Sequence, residues 1–270
     1  MRRWLITGVS SGIGAALARA ALDLGDAVVG TVRDDDARAA FEQLAPGRAQ
    51  ALLLDLADHA AIGPAMARAL AGGPVDILVN NAGRSLFGAF EETELEEARG
   101  LFETNLFGPW ATMQATLPHL RARGAGTIVN VSSGCGLNAS PALSAYSASK
   151  FALEGLTEAV AAEVARFGVR VMLVEPGAIA TRFISHATQE TATRLADYAF
   201  LSGQGKSGLD AYYATAALSP DRVAEAIIGA LALPELPLRL VVGDMRPSIG
   251  RKAGELVAAA EAGAAAAQAS

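Results

Sequence analysis

The sequence predicts an α/β protein of one domain, a doubly wound parallel sheet of about seven strands with helices on both faces. Three observations lead there. Short β-branched runs alternate with longer Ala/Leu/Glu/Arg-rich segments up to about residue 175. Several of the short runs are apolar at successive positions instead of every second one, the pattern of strands covered on both faces. No Pro-, Gly- or Ser-rich linker divides the 270 residues, and a single α/β domain routinely reaches ~250 residues.

Taken in order, the first strand is expected at 3–7, before a glycine-rich turn and a helix at 12–24. A second strand at 27–32 leads into a helix at 35–44, whose N-terminus suits the carboxylates of Asp34, Asp35 and Asp36. Strands at 51–54, 76–80, 126–132 and 169–174 then alternate with helices at 59–70, 95–120 and 145–167. Parallel strands need such crossovers. Residues 178–218 carry many Thr, Ser and Gly with no clean period, and an irregular stretch of that length reads as a substrate lid. A helix at 220–231 and a last strand at 238–242 complete a domain of residues 1–245. The tail, 246–270, is almost all Ala from Ala258 onward. It buries little per residue and is expected to fray, although the helix propensity of Ala could extend a helix there.

Composition narrows the class. With 51% of residues apolar and 19% charged, there is ample surface to bury and a disordered chain is excluded. A formal net charge of −6 argues against the basic stripe that neutralises nucleic-acid phosphates. Cys135 is the only cysteine, so no internal disulfide can form, as expected in a reducing cytoplasm. Met1-Arg2-Arg3 before Trp4-Leu5-Ile6 imitates a secretory leader. Thr7, Gly8, Ser10, Ser11, Gly12 and Gly14 break the ~7–15 apolar residues that such a leader needs. No stretch reaches the ~18 apolar residues that cross a bilayer. A soluble, cytoplasmic protein without nucleic-acid or membrane partners is the expectation.

The turn after the first strand reads Thr7-Gly8-Val9-Ser10-Ser11-Gly12-Ile13-Gly14. Glycine lets the backbone turn sharply and approach a pyrophosphate with no Cβ in the way. The helix that follows offers unpaired N–H groups and the positive end of its dipole to an anion. Its place at the first β–α junction of a parallel sheet marks a dinucleotide site. The end of the second strand selects the dinucleotide. An acidic residue there grips the ribose hydroxyls of NAD, whereas this chain has Thr31-Val32-Arg33. Arg33 can pair with the 2′-phosphate of NADP(H) in fork geometry, and Ser10 and Ser11 can add hydroxyl donors. The neighbouring Asp34, Asp35 and Asp36 lower the local positive potential, and the alternative is a merely solvated Arg33. NADP(H) is favoured over NAD(H).

Tyr146-Ser147-Ala148-Ser149-Lys150 opens the long helix expected at 145–167. Residues four apart share a helix face. A phenol of pKa ~10 is a poor base at neutral pH, and a neighbouring ammonium favours its ionised form. The alternative is a part-buried Tyr beside a snorkelling Lys. Ser133 sits thirteen residues before Tyr146, at the end of a strand where a ligand crevice should open. Ser132 is its neighbour, and the two-residue period of a strand lets only one of them face that crevice.

These motifs, in this order, resemble the classical short-chain dehydrogenase/reductase family over roughly residues 3–245. The Thr-Val-Arg ending of strand two and the long lid are similar to its 17β-hydroxysteroid and retinol dehydrogenase-like subgroup. The resemblance implies a Rossmann fold whose cofactor loop is Thr7-Gly8 with Gly12-Ile13-Gly14. It implies further cofactor contacts at Asp55 and Leu56, at Asn81, Ala82 and Gly83, at Tyr146 and Lys150, and at Pro176, Gly177, Ile179 and Thr181. It implies a catalytic tetrad of Asn105, Ser133, Tyr146 and Lys150. Tyr146 would exchange the proton at the substrate oxygen and Lys150 would depress the phenol pKa and hold the nicotinamide ribose. Ser133 would orient the substrate oxygen, and Asn105 would hold a water that relays protons from Lys150. A homodimer or homotetramer through the helices at 95–120 and 145–167 is implied as well, with Phe102, Leu106, Trp110, Met113 and Leu117 at helical spacing, a pattern that more often marks ordinary core.

The lid holds Phe183, Ile184, Tyr198, Phe200, Leu201, Tyr212 and Tyr213, while its cations Arg182, Arg194 and Lys206 are dispersed. Aromatic side chains carry large apolar area, so a hydrophobic alcohol or ketone is expected, lined also by Cys135, Leu137 and Leu143. Packing of the lid onto the domain is the plainer explanation of the same residues. His59, His119 and His186 are far apart in sequence and no Cys/His ligand spacing occurs, so no metal is expected. Other readings are an NAD(H)-preferring enzyme, a non-catalytic redox sensor, which has no need of the four polar residues together, and a sugar-nucleotide epimerase, which needs a larger C-terminal region.

Overall fold

The computed structural model describes residues 1–179, 188–201, 207 and 218–268. Strand β1 (Arg3–Ile6) shows why its apolar run is continuous: Trp4 and Ile6 enter one buried cluster and Leu5 enters another on the opposite face. Val28 and Val29 divide likewise in β2 (Ala27–Val32), as do Val79 and Leu78 in β4 (Ile77–Asn80). With β3 (Ala49–Leu53), β6 (Gly126–Val131), β7 (Val169–Pro176) and β9 (Arg239–Val242), these strands form the expected seven-stranded parallel sheet, in the order β3-β2-β1-β4-β6-β7-β9. Leu5 stands between Val29 of β2 and Leu78 of β4.

Helices cover both faces. Leu17 of α1 (Gly12–Asp23) and Val223 and Ile227 of α7 (Pro220–Leu231) close the first cluster. Ile62 and Met66 of α3 (His59–Ala71), Met113 and Leu120 of α5 (Gly108–Arg123) and Val164 of α6 (Ser144–Val164) close the second. Each such side chain contributes about 1.5–3 kcal/mol on burial. A buried polar chain ties the middle together: Thr112 Oγ1 donates to Asn80 Oδ1, Asn80 Nδ2 to Asn130 Oδ1, and Asn130 Nδ2 to Thr157 Oγ1. It links β4 and β6 to α5 and α6 with every amide partnered, which suits their complete burial.

Helix α2 (Asp35–Glu42) starts where expected, with the Asp34 carboxylate accepting from Ala37 N at 2.8 Å. The helix expected at 95–120 is instead α4 (Leu95–Phe102), a π-helical turn (Glu103–Phe107) and α5. Pro109 has no N–H for the Asn105 carbonyl, the bond that a regular helix would make there, so the ladder widens by a residue. Two short strands were not expected: β5 (Ser85–Phe87) pairs in parallel with β8 (Thr188–Glu190), apart from the main sheet. The tail, expected to fray, is the helix α8 (Arg246–Gln268), with its described side chains exposed beyond Lys252. Its Ala content holds it, since it has almost nothing to pack on.

Among the described residues no helix is long and apolar enough to cross a membrane. Thr181, Arg182, Phe183, Ile184, His186, Lys206, Tyr212 and Tyr213 lie outside the described residues.

Candidate active site

The strand order reverses between β1 and β4, and at such a point a crevice opens beyond the carboxyl ends of the strands. A cavity of about 340 Å³ lies there, lined by residues that follow β1, β2, β3, β4, β6 and β7. The glycine turn forms one wall. Gly8 and Gly12 have φ of +74° and +61°, left-handed values that favour glycine. Gly14 is buried behind the wall, where a Cβ would lie 2.2 Å from Gly8 O and 2.4 Å from Asn81 Nδ2. Asn81 Nδ2 donates to the carbonyls of Thr7 and Gly8 at 3.0 Å each, and Thr7 Oγ1 accepts from Asn81 N and Ala82 N. Thr31 Oγ1 accepts from Gly8 N. These side chains hold the turn from below. The first-turn N–H groups of α1 face no capping side chain, because Ser11 makes no such bond. Unpaired donors at a helix N-terminus beside a glycine turn fit a pyrophosphate.

Arg33 is exposed at the cavity edge, beside Val32. Two of the three carboxylates after it have other partners: Asp34 caps α2, and Asp35 pairs with Arg38 at 2.6 Å. Arg33 makes no ion pair with a described residue.

Tyr146 and Lys150, one turn apart on α6, are both buried at the cavity, with Lys150 Nζ 5.9 Å from the centre of the Tyr146 ring. Lys150 Nζ donates to Val131 O at 2.9 Å. Burial pushes the Lys150 ammonium down to about 8, against the opposing pull of Glu154 and Cys135. Ser133 follows β6, lines the cavity and accepts from Cys135 N at 3.1 Å. The hydroxyl of Ser132 is buried instead beside Gly136, whose Cβ would lie 2.7 Å from Ser132 Oγ and 3.1 Å from Glu154 Oε1. Both residues follow the end of β6 and line the cavity, so the expected either-or of a strand does not apply, and it is the Ser132 hydroxyl alone that is buried.

Asn105 sits in the π-helical turn, one layer behind Gly83: a Cβ on Gly83 would lie 3.3 Å from Asn105 Oδ1 and 3.7 Å from Lys150 Nζ. Its amide donates to Arg84 O and Ser149 Oγ and accepts from Arg84 N. Both donors are therefore taken. The visible role of this amide is to hold the Gly83-Arg84 backbone against α6.

Behind Lys150 on α6, Glu154 meets Arg239 of β9, which also bonds Glu158 and, at 3.0 Å, Glu175 of β7. Burial and the Glu154 carboxylate push Glu175 up to about 7, against its bonds to Arg239. Burial likewise raises the Cys135 thiol.

Gly8, Ser10, Ser11, Gly12, Ile13, Asp55, Leu56, Asn81, Ala82, Gly83, Pro176, Gly177 and Ile179 all line the cavity. Leu143 and Cys135 do not line it. They belong to the apolar cluster that packs Tyr146, with Leu86, Phe87, Leu101 and Leu201. Of the residues weighed between an oligomer face and ordinary core, Leu106 and Met113 are core and Trp110 is exposed, as are Leu95, Phe107, Phe151 and Phe167 on the same stretches. Sequence reasoning missed Arg84, Thr104 and Gln189 in the lining. The place of Arg84 directly after Asn81-Ala82-Gly83 was a usable signal; Gln189 offered none. Among the described residues no three His, Cys, Asp or Glu side chains cluster as metal ligands.

A family model described as short chain dehydrogenase matches residues 2–192. The chain is 36% identical over 255 residues to 17-beta-hydroxysteroid dehydrogenase type 1 of Mus musculus, covering 87% of this chain and 72% of that one. Among solved structures, a short-chain dehydrogenase from Streptomyces avermitilis is 41% identical with a TM-score of 0.86, covering 96% of this chain and 94% of that one. An alcohol dehydrogenase from Thermococcus sibiricus complexed with 5-hydroxy-NADP is 27% identical, TM-score 0.74, covering 90% and 96%. A 3-ketoacyl-(acyl-carrier-protein) reductase from Brucella melitensis complexed with NADH is 28% identical, TM-score 0.75, again covering 90% and 96%.

Proposed function

The chain belongs to the short-chain dehydrogenase family of oxidoreductases, and on that premise we propose that it interconverts an apolar secondary alcohol and its ketone with NADP(H). The observation that carries this reading is the meeting of Tyr146 and Lys150, one helical turn apart, in the cavity walled by the glycine turn. A nicotinamide dinucleotide held by the glycine turn and the start of α1 would, when bound, supply or accept the hydride. The chain's own residues do the rest. In reduction, the Tyr146 hydroxyl gives its proton to the carbonyl oxygen, and the buried Lys150 ammonium stabilises the phenolate left behind. Ser133 donates to the same oxygen and fixes its direction. Asn105 positions the Gly83-Arg84 backbone.

Arg33 supports NADP(H): it stands at the cavity edge without an ion pair to a described residue, and two of the three acidic groups after it are bound elsewhere. The apolar packing around Tyr146, with Tyr198 6.3 Å from the exposed Phe200, supports an apolar substrate. The exposed Phe107, Trp110 and Phe151 support assembly through α5 and α6. The test is oxidation of NADPH and of NADH across apolar cyclic ketones and small polyols, with the wild type and Arg33→Ala. NADPH and apolar ketones should be preferred, and the variant should lose roughly ten- to hundred-fold in kcat/KM for NADPH alone, the worth of a charge-assisted fork. Equal use of NADH by the wild type, or a preference for polyols, overturns the reading.

A further inference from the structure

Residues 188–195 form a strap that reaches the substrate side of the cavity. Gln189 lines the cavity and pairs with Leu86, itself part of the cluster around Tyr146. Two residues further, Thr191 presses on Gly88 so closely that a Cβ there would lie 2.2 Å from Thr191 Oγ1. Gly88 N in turn donates to Ala142 O, and Gly88 bridges to Leu143 in that same cluster. The position of the strap therefore bears on the cluster that packs Tyr146.

What holds the strap is a set of carboxylates lying about a hundred residues earlier. Glu92 is buried, and both of its oxygens are engaged. Oε1 accepts from Leu195 N at 2.9 Å; Oε2 accepts from Ala89 N at 2.9 Å and from Arg194 Nη1 at 3.3 Å. Glu97 accepts from Ala192 N and Glu94 from Thr193 Oγ1, both at the exposed edge. Arg194 also bonds Thr191 Oγ1 and Glu190 within the strap. Thr191, the buried residue of the strap, donates its N–H to Phe87 O, and Glu92 is the buried carboxylate that fastens the exposed end, Arg194 and Leu195. The Leu195 and Ala89 N–H bonds, with the Arg194 guanidinium, hold its carboxyl below the usual range.

We infer that Glu92 is a positioning residue for substrate recognition: as a buried carboxylate bridging Ala89, Arg194 and Leu195, it locks residues 188–195 against β5 and so fixes both Gln189 in the cavity lining and the apolar cluster packed on Tyr146. The inference rests on the reaction proposed above, and Glu92 itself touches neither cofactor nor reacting atoms. Glu92→Gln keeps the volume but turns an NH2 toward donors that need an acceptor.

The experiment combines steady-state kinetics on apolar ketones with amide hydrogen exchange in the wild type, Glu92→Gln and Arg194→Gln. KM for ketone should rise about tenfold or more in Glu92→Gln, with kcat and the KM for NADPH within about twofold of wild type. Exchange at Leu195 N and in β8 should accelerate about tenfold or more, with the central sheet unchanged. Arg194→Gln, which changes a half-exposed partner only, should move both readouts the same way by a smaller factor. Unchanged exchange at Leu195, or equal losses in ketone and NADPH parameters, would overturn the inference. Turnover of no ketone by the wild type would instead defeat the proposed reaction, and the exchange rates would still decide whether Glu92 holds the strap.

Discussion

The two sides of the cavity are built by different means. On the nucleotide side the working parts are backbone groups: positive-φ glycines, a Gly14 with no room for a Cβ, and uncapped N–H groups at the start of α1. On the side proposed for the substrate, and beneath α6, side-chain carboxylates hold distant backbone and strands in place. Glu92 holds the strap, and Glu154 and Glu175 converge on Arg239. The difference teaches where each half is vulnerable. A site made by missing side chains fails when volume is added; a site made by ionised ones responds to charge and pH. Between them stand Tyr146 and Lys150, which belong to neither and to which the proposed chemistry is assigned.

The largest effect should come from that shared centre. Tyr146→Phe removes the proposed proton donor while keeping the ring in its apolar cluster, so kcat/KM should fall by roughly 10²–10⁴, with NADPH affinity retained. Turnover near wild type would remove the centre from the comparison altogether. Next comes Gly14→Ala. The obstacles to its Cβ are the Gly8 carbonyl and the Asn81 amide, a backbone atom and a side chain bonded to backbone, so neither yields easily. A cost of about 3 kcal/mol is expected from such overpacking, read in urea unfolding and as an NADPH Kd weakened by roughly a hundredfold. Cofactor binding that survives this change would show that the turn is more compliant than its contacts imply.

The same division explains what could be read from the sequence. The glycine turn, Arg33, and the Tyr146 and Lys150 pair each lie within a few consecutive residues, so local geometry fixes their relation before any tertiary structure is known. The seven strands were legible for a similar reason, since burial on both faces writes continuous apolar runs such as Trp4-Leu5-Ile6. Glu92 was not legible. It lies in an acidic stretch with Glu91, Glu94, Glu96 and Glu97 that resembles any solvated helix start, and its partner Leu195 is 103 residues away. Arg239 likewise meets Glu154 only after the whole sheet has formed. The three-residue strands β5 and β8 are too short to show a period. Pro109 was a visible signal for the break in the helix, and it accounts for the π-helical turn that carries Asn105.

The smallest effect tests the carboxylate half by pH. Glu175 is buried and its carboxyl is pushed from 4.5 up to about 7. Between those values the unfolded chain releases its proton while the native protein keeps it. Stability therefore falls as pH rises from about 4.5 to about 7 and levels off above. Glu92 has the opposite sign: its carboxyl is lowered in the native state, so its contribution is complete above the ordinary carboxylate range and fades as pH falls through the lowered value. Urea unfolding at pH 5 and pH 7.5 should show the wild type losing about 2 kcal/mol over that interval from Glu175. Glu175→Gln stays neutral throughout and should lose much less, with an unchanged m-value, while any acid limb below the ordinary carboxylate range persists in both proteins. Parallel pH curves for the two would mean that Arg239 keeps Glu175 ionised in the native state, and that the charge under α6 is balanced without a bound proton.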